Sequence, residues 1–112
     1  MERALQQARG LVEAAADKFG AVDILVNSAS IWQNTPLPMG DFADWHRVLG
    51  VLLDGSMYLA DAAAPMMKER GEGAMVNIVD LAAWKPFVGY VAHSVGKAGL
   101  LALTRSLAIE LA

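Results

Sequence analysis

Two short aliphatic runs, Val22-Asp23-Ile24-Leu25-Val26-Asn27 and Ala74-Met75-Val76-Asn77-Ile78-Val79, flank one long helical pattern. Each is of strand length, and near-continuous apolarity is what a strand covered on both faces shows. A strand, a helical crossover and a second strand make a β-α-β unit, whose crossover is right-handed and whose strands are therefore parallel. That unit places the chain in the α/β class.

The remaining pattern is helical. Leu5, Ala8, Val12, Ala15, Ala16 and Phe19 recur mostly at spacings of three and four, the stripe of an amphipathic helix over residues 3–19 that Gly20 ends. Residues 28–40 hold Pro36, Pro38 and small polar side chains, a loop after which Asp41 reads as an N-cap. Over residues 42–70, Phe42, Trp45, Val48, Leu49, Leu52 and Leu53 form one stripe, continued by Leu59, Ala62, Ala63, Met66 and Met67. Gly50, Gly55 and Pro65 interrupt it, and Pro65, which has no N–H, predicts a kink or a break. Gly71 and Gly73 stop this helix, and a last one covers roughly residues 91–111. Two strands are fewer than a doubly wound sheet normally has, so residues 1–112 read as the central part of a larger single domain with both sheet edges open.

Composition narrows the chemistry. Nine Lys and Arg against twelve Asp and Glu, interspersed, give a net charge of −3, which disfavours nucleic acid and anionic membranes as partners. The absence of cysteine excludes disulfides, thiolate metal sites and a cysteine nucleophile. The two histidines lack metal-ligand spacing, and no G-x-S-x-G elbow suggests a serine hydrolase. The start, MERALQQARG, carries charge where a secretory signal needs its apolar run, and no stretch reaches the ~18 apolar residues of a membrane span. A cytoplasmic protein is the expectation.

Asp23-Ile24-Leu25-Val26-Asn27-Ser28-Ala29-Ser30, Trp45 in the long helix, Met75-Val76-Asn77-Ile78-Val79, and Lys97 followed by Leu103-Thr104-Arg105-Ser106-Leu107-Ala108-Ile109-Glu110-Leu111 occur in this order. Together they resemble the short-chain dehydrogenase/reductases over nearly the whole chain. The resemblance implies part of a Rossmann-type, doubly wound parallel sheet, an NADP or NAD cofactor with NADPH favoured, and hydride transfer to a small-molecule carbonyl or imine. The family's glycine-rich pyrophosphate turn belongs to an earlier strand. The G-x-G at Gly71-Glu72-Gly73 has Val76 where a third glycine is needed, and it reads as a helix stop. Asp80, where most relatives have serine, and Asn27-Ser28-Ala29-Ser30-Ile31-Trp32 resemble the pteridine reductases, so a pterin is one expected substrate.

The resemblance assigns Asp80, His93 and Lys97 to catalysis, and Asn27, Ser28, Ala29, Ser30 and Lys97 to the cofactor. His93 stands four residues before Lys97, one helical turn away, where the family has a tyrosine. A like charge at Lys97 opposes an imidazolium and a carboxylate at Asp80 favours one, so a proton relay through the three is expected if their geometry allows it. Tyr90 is a competing phenol, but seven residues, about 10 Å of helix rise, separate it from Lys97, and packing against substrate or core is its expected role. Leu52 occupies the position where the family usually has an asparagine that holds a water, and it reads as core. Asn27 reads more readily as a tie between strands than as a substrate contact, and His46 as exposed. No metal is expected. Self-association is expected through the long helix and the last helix, whose apolar faces relatives usually bury. The contrasting expectation is a catalytically silent binding or self-association module, since of the family's usual tetrad only Lys97 stands unchanged.

Overall fold

A computed structural model describes residues 2–112. Helix α1 (Glu2–Phe19) leads into strand β1 (Ile24–Asn27). Helices α2 (Ala43–Leu49) and α3 (Gly55–Arg70) run on through a π-helical segment at Gly50–Asp54. Strand β2 (Ala74–Asn77), a 3₁₀ turn at Leu81–Ala83 and helix α4 (Val91–Glu110) follow. The strands pair in parallel, with Ile24 opposite Ala74 and Asn27 opposite Asn77. The α/β class and the β-α-β unit stand as expected, although each strand is four residues long, shorter than its apolar run.

The expectation that both strand faces are covered needs correction. Leu25 packs with Met75 into a cluster with Val12, Ala63 and Met67 of α1 and α3. On the opposite face Ile24, Val26, Val76 and Ile78 are exposed. Strand alternation sends odd and even residues to opposite sides. Apolarity on both sides of a strand reports the capacity to be covered; among the described residues only one side meets helices.

Pro65 does not break the helix. It lies inside α3, and both it and Asp61, whose carbonyl loses its usual donor, are exposed. Solvent can satisfy that carbonyl, which is why a proline is tolerated there. The irregular turn falls instead between Gly50 and Gly55, where one residue more per turn is accommodated. Opposite it, α4 presents Gly96 and Gly99. A Cβ on Gly96 would lie 3.2 Å from the Leu52 Cβ, and one on Gly99 would lie 3.0 Å from Leu53 Cδ2. Two glycines thus let α4 rest directly on the π-helical segment. Leu52, Val48 and Ala92 form the second core cluster there, beside Ile31 and Trp45.

The helix ends follow local chemistry. Gly20 and Gly71 have φ of 87° and 75°, the left-handed conformation that closes α1 and α3. Asp41 lies one residue ahead of its expected position, since Phe42 is the N-cap, and its carboxylate still accepts the Ala43 N–H at 2.9 Å. Arg70, at the end of α3, forms an ion pair with Asp23 ahead of β1. No helix among the described residues is long and apolar enough to cross a membrane.

Candidate active site

In parallel α/β sheets ligands bind beyond the carboxyl ends of the strands, because loops and helix starts converge there. Here β1 leads into the exposed residues Ser28, Ala29 and Ser30, and β2 leads to Ile78, Val79 and Asp80. Asp80 caps the 3₁₀ turn, its Oδ1 accepting the Ala82 N–H at 2.8 Å. That bond fixes the carboxyl group so that Oδ2 faces His93 Nε2 at 2.9 Å. One helical turn further along α4, Lys97 donates from Nζ to the Ile78 carbonyl at 2.9 Å. Asp80, His93 and Lys97 therefore converge, although 13 residues and the 3₁₀ turn separate Asp80 from His93.

Their exposures differ. The His93 side chain is 3% exposed and that of Asp80 is 45%. Partial burial pushes the Asp80 carboxyl up. The His93 hydrogen bond, the Ala82 N–H and the charges of His93 and Lys97 outweigh it, so the group is held below the usual carboxylate range. An ionised Asp80 needs a donor, which assigns a proton to His93 Nε2. His93 Nδ1 is buried without a partner, as is the hydroxyl of Ser94.

Aromatic rings border the pair. Trp32 stacks on Tyr90 with centroids 4.0 Å apart, meets the His93 ring edge-on at 4.7 Å and the Phe87 ring edge-on at 6.0 Å. Tyr90 thus packs against Trp32, in keeping with the packing role expected of it. Asn27 is turned inward: its amide donates to Asn77 Oδ1 at 2.8 Å and approaches the Ser56 carbonyl at 3.5 Å. It ties the strands to each other and to α3, while the next three residues stay exposed. His46 is exposed and far from these groups in the chain.

Sequence reasoning missed Thr35. It is buried, its N–H donates to the Gly89 carbonyl, and its hydroxyl accepts the Ala92 N–H at 3.1 Å. The loop after β1 therefore caps the start of α4 from 57 residues away and seats Trp32 beside His93. No local pattern around a lone threonine reveals such a bond. The partial signal was Gly89, whose φ of 81° and close approach to the Asn34 amide require glycine.

The family described as enoyl-(acyl carrier protein) reductase matches residues 3–112. The chain is 36% identical over 103 residues to D-threitol dehydrogenase from Mycolicibacterium smegmatis, covering 88% of this chain and 40% of that protein. Among solved structures, a putative short-chain alcohol dehydrogenase from Sinorhizobium meliloti superposes with a TM-score of 0.90 at 33% identity, over 95% of this chain and 42% of that one. A gluconate 5-dehydrogenase from Burkholderia cenocepacia, in complex with NADP and tartrate, superposes with a TM-score of 0.88 at 30% identity, over 94% and 41%. The chain thus spans about two fifths of the length of these relatives.

Proposed function

The chain belongs to the short-chain dehydrogenase/reductase family, and from that premise we propose that it forms the reacting side of an oxidoreductase that uses NADP or NAD, with NADPH favoured, to reduce a small carbonyl or imine compound, a pterin among them. The observation that carries the reading is the convergence of Asp80, His93 and Lys97 beyond the carboxyl end of β2.

The donor set suits a dinucleotide. Lys97 uses one N–H on Ile78 and has two more to offer to ribose hydroxyls. Ser28, Ala29 and Ser30 supply exposed backbone and hydroxyl groups beyond β1. The reduced nicotinamide, when bound, supplies hydride. His93 orients Asp80, Asp80 faces the substrate side, and the Trp32–Tyr90 stack packs against the His93 ring. The NADP complex of the gluconate dehydrogenase neighbour supports the choice of NADPH. We also assign self-association to α3 and α4, where Met57, Val95 and Ile109 are exposed apolar side chains. Light scattering checks this, and a stable monomer at high concentration removes the assignment.

The test of function is titration with NADPH, read by tryptophan fluorescence and by thermal melting. Without a glycine-rich pyrophosphate turn among residues 1–112, weak binding or none is expected of this chain alone. Saturable micromolar binding that raises the melting temperature supports the reading, and folded protein that binds no dinucleotide favours a silent module instead. A second arm replaces His93 with the family's tyrosine. A rise in reductase rate above tenfold, ~1.4 kcal/mol of barrier, marks His93 as a degraded acid, and an equal or lower rate marks it as adapted.

A further inference from the structure

Reduction of a ketone builds negative charge on oxygen, and a nearby donor must stabilise it and deliver a proton. The donors at this site are buried and turned inward. The His93 ring is buried and its Nε2–H points at Asp80, while Lys97 turns its ammonium back to the Ile78 carbonyl. Leu52, fully buried against Gly96, can neither hold nor pass a proton. What the site turns outward is the Asp80 carboxylate, an acceptor kept ionised by its surroundings. Against its partner His93 stands a group of rings, with Trp32 59% exposed and Phe87 41%.

A fixed carboxylate opposes the alkoxide of a ketone reduction and favours a carbon that already carries positive charge. Aromatic faces attract the same kind of group through their quadrupoles. We infer that Asp80 is the substrate-contacting group, positioned by His93, and that it takes a planar, cationic C=N compound such as a cyclic iminium in preference to a ketone.

This inference rests on the hydride-transfer reading above and names the substrate class for it. The step balances without a protein acid. Hydride forms one C–H bond at the iminium carbon, the C=N π pair moves onto nitrogen, and a neutral amine results. The reductant is a reduced nicotinamide dinucleotide, which ends as its oxidised form. The opposing charge at the site is Lys97, one turn beyond His93 and held on the Ile78 carbonyl just past β2.

The test is calorimetric binding without dinucleotide, using permanently charged N-methyl-3,4-dihydroisoquinolinium against 1-tetralone, its neutral near-isostere. At neutral pH the cation is expected to bind about tenfold tighter, a margin within reach of one carboxylate and an aromatic face. Asp80→Asn and Asp80→Ser should each remove that margin and leave the ketone's affinity unchanged. Two substitutions guard against a folding artefact, because both can still accept the Ala82 N–H. His93→Phe, which keeps a ring but loses the donor, should reduce the preference, and His93→Gln, which can still donate to Asp80, should recover it. Equal affinity for the two probes, or a preference that survives both Asp80 substitutions, overturns the inference.

Turnover separates the two readings. NADPH oxidation with ketones but not with the cation overturns this inference and leaves hydride transfer standing. Cation binding that depends on Asp80, with no NADPH oxidation by any compound, upholds recognition at Asp80 and overturns the hydride-transfer reading.

Discussion

Asp80 receives hydrogen bonds from two directions, Ala82 N–H on one oxygen and His93 Nε2 on the other. Both favour the charged form, so its ionisation is linked to folding. Because its pKa is lowered from about 3.8, the stabilisation is present in full above that value and is lost as pH falls through the lower folded value. Asp80→Asn is therefore expected to lower the melting temperature at pH 7, by a margin that shrinks as pH falls below the ordinary carboxylate range. Melting curves across that range check it, and a pH-independent difference counts against the linkage. Partial exposure keeps the effect small. The pairing with His93 was legible as a possibility from residue types and helical spacing. The direction of the ring and the orphaned Nδ1 were not, since they depend on how the 3₁₀ turn aims the carboxylate.

At the scale of elements, the loop of residues 28–42 and helix α4 form one unit through Thr35. Thr35→Val keeps the shape and removes the acceptor for Ala92 N–H, and ~1 kcal/mol of stability should be lost, as for other helix caps. Faster hydrogen exchange at the Ala92 amide is the local readout, and unchanged protection there would show that the bond contributes little. The contact between the π-helical segment and α4 makes a second prediction. Gly96→Ala places a methyl 3.1 Å from Leu52 Cδ2, and overpacking of this kind costs about 1–3 kcal/mol. Leu52→Ala leaves a cavity and costs about 2–5 kcal/mol. Combined, the two should cost less than their sum, because the smaller side chain makes room for the methyl; urea unfolding of the four proteins measures this coupling. The glycines announced an interruption of the long helix. That the irregularity is a π turn, and that Pro65 passes through unbroken, depends on which carbonyls meet solvent and which meet α4.

At the scale of the whole molecule, the helices give the sheet one covered face, and Ile24, Val26, Val76 and Ile78 hold the other open. The radius of gyration is 15.1 Å, against about 13 Å for a compact domain of this length. Two small clusters replace a single core. Val26→Lys, on the open face, should change stability by no more than about 0.5 kcal/mol and reduce binding of a hydrophobic dye. A large destabilisation would show that this face is covered in solution. The amino-acid sequence by itself determined the α/β class, the order of the elements and the parallel pairing, while its resemblance to a known family singled out Asp80, His93 and Lys97, which the fold brings together. The class, the order and the pairing follow from periodicity and chain connectivity, which are readable along the chain. Only the tertiary structure decided which strand face is covered, that His93 serves Asp80, that Thr35 caps a distant helix, and that Trp32 lies on Tyr90. These depend on contacts between residues far apart in the chain, where close packing and hydrogen-bond geometry, rather than local pattern, select the partner.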